Sequence, residues 1–491
     1  MHPLDLAVIA AYFAATLAVG LWAGRRHGTA GHDDYFLGAR DLPAWAVMLS
    51  IVATETSALT VISVPGIGAR GDFTFLQLAL GYVVGRIGVA VWLLPGYFDG
   101  RQQTAYQRLE QRFGAPTRRL LSVVFLATRF LADGVRIFAG SIPLALLTGW
   151  DIGLAIVVMG GVTLAYTFVG GLRAVVWADA LQLGVYMAGG AAALAIAVHL
   201  AGGPGAVWHA ADAAGKLKVF DFRWSLTAPY AFIGALVGGA MLSAASHGAD
   251  HIIVQRLLAT RSLADARRAL VGSGLLVVLQ FALFLAAGMA VWAAGFAPAS
   301  LPGDQIFTRF VLDQMPAGLA GLLVAAILAA AMSTISSSIS ALASSMTNDL
   351  YASLTGRTDA AHLLAVGRAF SLLWGLLLIG GALGFHALGN RQDTPVVVLA
   401  LSIASVTYGA LLGAVLLAAR PGRCQGPDVL WSTGVAMVLM LGTVFASRLA
   451  AAWPMFTPLA PLGRLAFPWY VPMGTLVTVG VAHLAARLAR R

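Results

Sequence analysis

Apolar stretches follow one another along almost the whole chain, separated by short polar turns. They lie at 4–24, 43–67, 73–98, 119–147, 150–170, 175–201, 226–247, 267–294, 316–346, 362–387, 394–419, 428–449 and 468–488. A helix needs about 20 apolar residues to cross the hydrocarbon of a bilayer. The pattern therefore predicts an all-α integral membrane protein with about thirteen transmembrane helices. Two stretches are interrupted. The second carries the polar run ATETS at 53–57 and ends at Pro65-Gly66, and the seventh runs out through SHGADH at 246–251. Irregular backbone at membrane depth is tolerated where it lines a cavity, and its freed carbonyls are good cation ligands.

The ninth stretch, PAGLAGLLVAAILAAAMSTISSSISALASSMTNDLY, turns from apolar to hydroxyl-rich halfway along. Ser333, Ser337, Ser340 and Ser344 recur at steps of four, three and four, so they share one helical face, with Thr334 and Ser336 flanking it. Such a row either packs against a neighbouring helix or supplies oxygen ligands to a desolvated Na⁺.

Composition agrees with a membrane protein. Of 491 residues, 59% are hydrophobic and only 11% charged, too little polar surface for a soluble domain of this length. The net charge of +10 is topological rather than a nucleic-acid footprint. There are only two lysines, Lys216 and Lys218, and the arginines gather in alternate loops. Arg25, Arg26, Arg40, Arg101, Arg108, Arg112, Arg118, Arg119, Arg173, Arg256 and Arg261 fall on one side, and sparser cations such as Arg70 and Arg223 on the other. The positive-inside rule then sets the N-terminus outside and the C-terminus in the cytoplasm. The N-terminal MHPLD has no basic segment before its apolar run, which predicts a retained first span rather than a signal peptide. Cys424 is the single cysteine, so no internal disulfide forms. Arginine in place of lysine, with abundant Ala and Gly, points to a GC-rich bacterial genome and the cytoplasmic membrane.

Glu55, Arg86, Arg129, Asp133, Arg136 and Asp179 fall inside spans, where each needs a partner or an aqueous path. Asp133 can pair with Arg136 at i+3 or Arg129 at i−4. Arg86 is placed to snorkel to an interface, and Glu55 to pair with an arginine, take a proton or line a cavity. Asp179 is placed to cap a helix, pair with Arg173 or bind a cation. His247 and His251, at i and i+4 beside Asp250, have a spacing that can hold a metal, but the reading taken is a helix-end role with no metal other than sodium. No phosphate-binding glycine loop, serine-hydrolase elbow or HExxH motif is present, which argues against an ATP-driven pump or an enzyme.

Five segments, in order, resemble the sodium/solute symporter family, which includes sodium-coupled sugar, proline, sialic acid, vitamin and iodide carriers. They are DDYFLGARDLPAW, TAYQRLEQRFG, FVGGLRAVVWADALQ, HGADHIIVQRLLA and AAILAAAMSTISSSISALASSMTNDLY, and the resemblance runs from about residue 1 to 420. It implies a leucine-transporter-like core of two inverted five-helix repeats. The organisation would be a first helix and loop (1–42), a first repeat of spans two to six (43–201), a second of spans seven to eleven (202–419), and two C-terminal helices (420–491). It also implies Na⁺ as the coupling ion, held by the carbonyls of Ala53, Thr56 and Ala330 and the hydroxyls of Ser333 and Thr334. Some members hold a second ion at positions that match Asp179, Ser333, Ser336 and Ser337.

The implied activity is sodium-coupled symport of a small organic solute by alternating access. Glu55, Thr60, Arg129 and Arg136 are the candidates for contacting the solute. Where the sodium–galactose relatives carry amide and carboxylate side chains, this chain has Glu55, Leu59 and Thr60, which weakens a sugar reading. The additional arginines suggest a carboxylate-bearing solute instead. The alternatives are a proton-coupled carrier of the same fold, with Glu55 or Asp179 taking the proton, and a sensor using the transporter core. The partners expected are the solute and the lipid bilayer, with neither nucleic acid nor an obligate protein partner.

Overall fold

The computed structural model describes residues 2–27, 31–100, 102–388, 396–420 and 422–489. The described residues are predominantly helical, with one isolated bridge, Leu42 to Thr260, in place of any sheet. The principal helices are α1 (Pro3–His27), α2 (Ala44–Glu55), α3 (Ala58–Arg70), α4 (Leu76–Gly88), α5 (Ala115–Thr148), α6 (Ile152–Leu200) and α7 (Phe232–Gly248). They are followed by α8 (His251–Leu258), α9 (Leu263–Ala293), α10 (Leu319–Ser345), α11 (Ala360–Leu388), α12 (Val396–Ala419), α13 (Gly426–Val444) and α14 (Tyr470–Leu488). Among the described residues eight helices are long and apolar enough to cross a membrane, or ten if each bent pair counts as one span.

Two expected spans fall outside that set. Helix α5 has ample length, 34 residues, but carries Arg118, Arg119, Arg129, Asp133 and Arg136. Helix α12 counts only as the shorter apolar segment Val406–Ala419, and residues 394 and 395 of the expected eleventh span lie outside the described residues.

The expected fifth and sixth spans form one helical element, α6, that reverses at Gly171. Side-chain neighbours show the reversal. On the way in, residues 20 and 24 of α1 face Tyr166 and Gly170, so the two segments run in parallel. On the way out, Trp177 meets Trp22 edge-to-face while Gln182 reaches Tyr12, so the chain now runs against α1. Gly171 turns at φ +55°, ψ −152°, and a β-carbon there would lie 2.3 Å from the Tyr35 carbonyl oxygen. Only glycine tolerates both conditions.

Helix α10 is the most buried of the membrane helices. It is touched by α1, α2, α3, α5, α6, α8 and α11. Its N-terminus is capped from α1, where Asp5 Oδ1 accepts from the amides of Gly318 and Gly321 at 2.7 and 2.9 Å. The two interrupted stretches are the two bent pairs, α2/α3 at 69° and α7/α8 at 60°. Helices α3 and α9 approach backbone to backbone, so that a β-carbon on Gly288 would sit 1.8 Å from the Pro65 carbonyl oxygen.

Gly171→Ala is expected to lower the thermal midpoint of the detergent-purified protein by several degrees, since strained backbone of this kind holds roughly 1–3 kcal/mol before any clash. Gly161→Ala, at a position of the same element with no atom in reach, is expected to leave the midpoint unchanged or slightly raised. Equal midpoints for the two variants would contradict a turn that depends on glycine.

Candidate functional site

The break between α2 and α3 is set by Thr56 and Ser57, both in extended backbone (ψ 109° and 165°). Ser57 and Thr60 then cap α3 reciprocally. The last carbonyls of a helix have no partner within it. Here the Thr56 amide returns to Val52, and among the described residues no hydrogen-bond donor reaches the carbonyls of Ala53 or Thr56. The Thr56 hydroxyl donates to the Val52 carbonyl at 2.8 Å and accepts from Gln280 Nε2 at 2.9 Å, which ties the break to α9. Both short helices pack against α10, where Thr334 Oγ1 donates only to the Ala330 carbonyl, at 3.2 Å.

The serine face of α10 divides into two parts. Its far end packs on α8 running the opposite way: Ser344 meets His251 Nε2 at 3.1 Å and Ser340 meets Gln255 Nε2 at 3.3 Å. Its near end surrounds Asp179 of α6, whose side chain is fully buried. Ser333 donates to Asp179 Oδ1 at 2.6 Å, and Ser50 of α2 donates to Oδ2 at 2.5 Å. Ser337 donates to the Ser333 carbonyl and Ser336 does the same, so Ser336 does not reach the carboxylate.

The counter-charge to Asp179 comes from Arg256 of α8. Its NH2 group lies 3.0 Å from Asp179 Oδ2 and 2.5 Å from Ser337 Oγ, and its Nε donates to Ser50 at 2.8 Å. Arg256 therefore lies in a buried helix and not in a cytoplasmic loop, a correction to its place in the loop-charge pattern. Arg173, the other candidate partner of Asp179, pairs instead with Asp41 and the Gly38 carbonyl.

Beside this cluster lies a cavity of about 310 Å³, reached by Glu55, Thr60, Arg129, Arg136, His247 and Thr334. The two arginines of α5 differ. Arg129 is held by Asp250, with Nε and NH2 at 3.0 and 2.5 Å, and by the Tyr408 hydroxyl at 2.8 Å. Asp250 also caps α8 through the Ile252 amide, so Arg129 fastens the α7/α8 break to α5 and α12. Arg136 donates through NH1 to Asp133 at 2.8 Å, and Asp133 also accepts from Ser338 of α10 at 2.5 Å. No protein partner among the described residues meets the remaining donors of Arg136, and its side chain is 21% exposed where it lines the cavity. Glu55 pairs with Arg86, which is fully buried and also donates to Ser273 Oγ at 2.7 Å. Arg86 thus does not snorkel. Of the two histidines spaced i, i+4, His247 faces Glu55 and His251 faces Ser344, so they do not converge.

A polar layer closes the helices at the other end of α10. Arg118 binds Asp349 at 2.8 Å, Glu110 at 2.5 Å and the Asn348 carbonyl at 2.7 Å, and Thr104 donates to Asp349 at 2.5 Å. None of these residues lines the cavity, whose lining also includes Val64, Ile67, Phe75, Tyr230, Phe467 and Val471.

A model of the sodium:solute symporter family matches residues 35–445, which take in both bent pairs, the serine helix and all of the cavity's lining residues except Phe467 and Val471. The chain belongs to the sodium:solute symporter family. It is similar to the sodium/iodide cotransporter of Homo sapiens, 30% identical over 91% of this chain and 70% of that protein. It is 28% identical to the sodium/sialic acid symporter NanT of Aliivibrio fischeri, over 98% of this chain and 93% of that one. A solved Na⁺-coupled sialic acid symporter, in a substrate-bound outward-open state, aligns with TM-score 0.85 at 25% identity, covering 99% of this chain and 98% of its own. The symporter's buried arginine, Arg256, lies within HGADHIIVQRLLA, a segment the sequence had already singled out. Its signal there was faint, because an arginine after a span end reads equally well as a loop cation.

Arg256→Met alone is expected to destabilise this symporter by about 3–5 kcal/mol, since Asp179 would stay buried without its counter-charge. Adding Asp179→Asn is expected to recover part of the loss. Unfolding of the wild type, both single variants and the double variant measures the coupling, and strictly additive effects would show that the two groups do not depend on each other.

Proposed function

We propose that this symporter carries a small organic anion together with sodium by alternating access. The observation that carries the reading is the α2/α3 break, which serves two surfaces at once. It leaves the carbonyls of Ala53 and Thr56 without a donor among the described residues, between two helices that both pack on α10, and it lines the cavity with Thr54, Glu55 and Ser57. Sodium is placed at those two carbonyls, the Ala330 carbonyl and the hydroxyls of Ser333 and Thr334. This all-oxygen set suits a hard cation. Thr334 also lines the cavity, so ion and solute share a wall. A second ion, at Asp179, Ser333, Ser336 and Ser337, competes with the Arg256 guanidinium for the Asp179 carboxylate and Ser337.

Arg136 is the residue assigned to the anion. It lines the cavity with donors to spare, whereas Arg129 is committed to Asp250 and Tyr408. Iodide and sialic acid, carried by the relatives, are both anions, which supports the same charge class here. Proton coupling is the weaker reading, since Glu55 and Asp179 each already face an arginine.

The bent pairs open the two inverted repeats, 43–201 and 202–419, with 1–42 before them and 420–491 after. The wall of Tyr230 and Phe467 faces outside in this reading, and the Arg118–Asp349 layer faces the bacterial cytoplasm. Sodium bridges α2/α3 to α10 and so favours the state that presents the solute cavity, which couples the two ligands. A membrane potential adds about 2.3 kcal/mol per sodium charge per 100 mV to the inward direction.

Uptake of radiolabelled carboxylates into proteoliposomes tests the reading. Uptake is expected to need an inward sodium gradient. Ser333→Ala and Thr334→Ala are expected to raise the sodium concentration giving half-maximal rate, and Arg136→Met to lower carboxylate uptake roughly tenfold or more. Transport of neutral sugars only, or uptake driven by a pH gradient without sodium, would overturn it.

A further inference from the structure

The cavity holds a second polar end that the anion does not explain. His247 is 1% exposed, lines the cavity, and has no hydrogen-bond partner at Nε2. Its Nδ1 lies 3.1 Å from the Ser243 carbonyl and 2.8 Å from Ser246 Oγ. A carbonyl only accepts, so the tautomer that bonds Ser243 carries its proton on Nδ1, and that neutral ring presents a bare lone pair at Nε2. That nitrogen stands 3.8 Å from Glu55 Oε2, too far for a hydrogen bond between them. Arg86 engages Oε2 of Glu55, and among the described residues no donor reaches Oε1. Two acceptors on cavity-lining residues thus have no donor among the described residues, Glu55 Oε1 and the buried His247 Nε2. A buried acceptor left without a donor is disfavoured by about 1–3 kcal/mol, so a group that fills it is selected.

We propose that Glu55 and His247 form a specificity subsite for a neutral hydrogen-bond donor on the solute, a hydroxyl or an amide N–H, remote from the carboxylate that Arg136 takes. This rests on the reading of the cavity as the anion site and narrows its substrate class to donor-bearing carboxylates. A neutral donor fits better than an ammonium, because the negative charge of Glu55 is already balanced by Arg86. The hydroxyl of Ser63 also lines the cavity and is buried without a partner among the described residues. A site built to bond a donor rejects the analogue that lacks it far more strongly than an apolar wall distinguishes size.

The test is sodium-dependent thermal stabilisation of the purified full chain by matched probes. These are butanoate, 4-hydroxybutanoate and 4-aminobutanoate, the six-carbon counterparts substituted at carbon six, and the neutral polyol sorbitol. In the wild type the hydroxy acid is expected to half-saturate at a concentration roughly tenfold or more below its unsubstituted partner. His247→Phe is expected to bring that ratio to about one while leaving the unsubstituted acid where it was. His247→Gln, which keeps an acceptor, is expected to retain part of the discrimination. A sodium shift retained in both variants shows that they are folded. Equal affinity for hydroxy and unsubstituted acids in the wild type overturns the subsite and leaves the anion reading standing. Preference for the amino acid over the hydroxy acid overturns the assignment to a neutral donor. Stabilisation by sorbitol alone, or by none of the probes, overturns the subsite and the anion reading together.

Discussion

A carboxylate buried at the centre of a membrane protein is the constraint from which the rest follows. Asp179 has no exposed surface, and an ion there is tolerated only with a counter-charge and filled lone pairs. The structure supplies Arg256 from α8, Ser50 from α2 and Ser333 from α10, while Asp179 itself comes from α6. Four elements therefore meet at one charged group, and two of them belong to the broken pairs. Arg129 and Asp250 do similar work one layer away, joining α5 to the start of α8.

Such an arrangement suits a protein that must change shape. On the α10 side the polar contacts are made by short hydroxyl side chains, which can exchange a partner for an ion or a water. The carbonyls freed at the α2/α3 break have no donor to lose, and a cation that reaches them adds an interaction without breaking one. At the opposite end of α10 the Arg118–Asp349–Glu110 layer has the contrary character, with each of the three guanidinium nitrogens of Arg118 making a hydrogen bond. In the proposed reading, one end accepts ligands while the other is held shut, as alternating access requires of any single state.

Much of this was legible in the apolar pattern. The runs marked the membrane helices, and the ATETS and SHGADH interruptions marked the two bends, because irregular backbone in lipid needs polar residues beside it. The serine periodicity identified the correct face of α10 but not its division, since a helical repeat says which residues share a side and not what stands opposite. For the same reason Arg129 and Arg136 were equivalent in the sequence, both within a turn of Asp133. Asp250 and Tyr408, more than a hundred residues away, separate their roles. Arg256 was read as a loop cation because charge near a span end is the ordinary topological signal, and only its burial beside Asp179 shows otherwise. The reversal within α6 was legible as well, because the Gly170-Gly171 pair in FVGGLRAVVWADALQ marks a turn between two apolar runs, and the chain reverses at Gly171.

The central claim is that the break in α2/α3 and the hydroxyl end of α10 together bind sodium. Equilibrium binding of radiolabelled sodium to the purified protein tests it most directly, with Thr334→Ala alongside. The Thr334 hydroxyl bonds only to its own helix, so its loss leaves the fold intact. The account predicts saturable binding, displaced by unlabelled sodium but not by choline, with affinity reduced roughly tenfold or more in the variant. Absence of saturable binding, or the same affinity in both proteins, would contradict it.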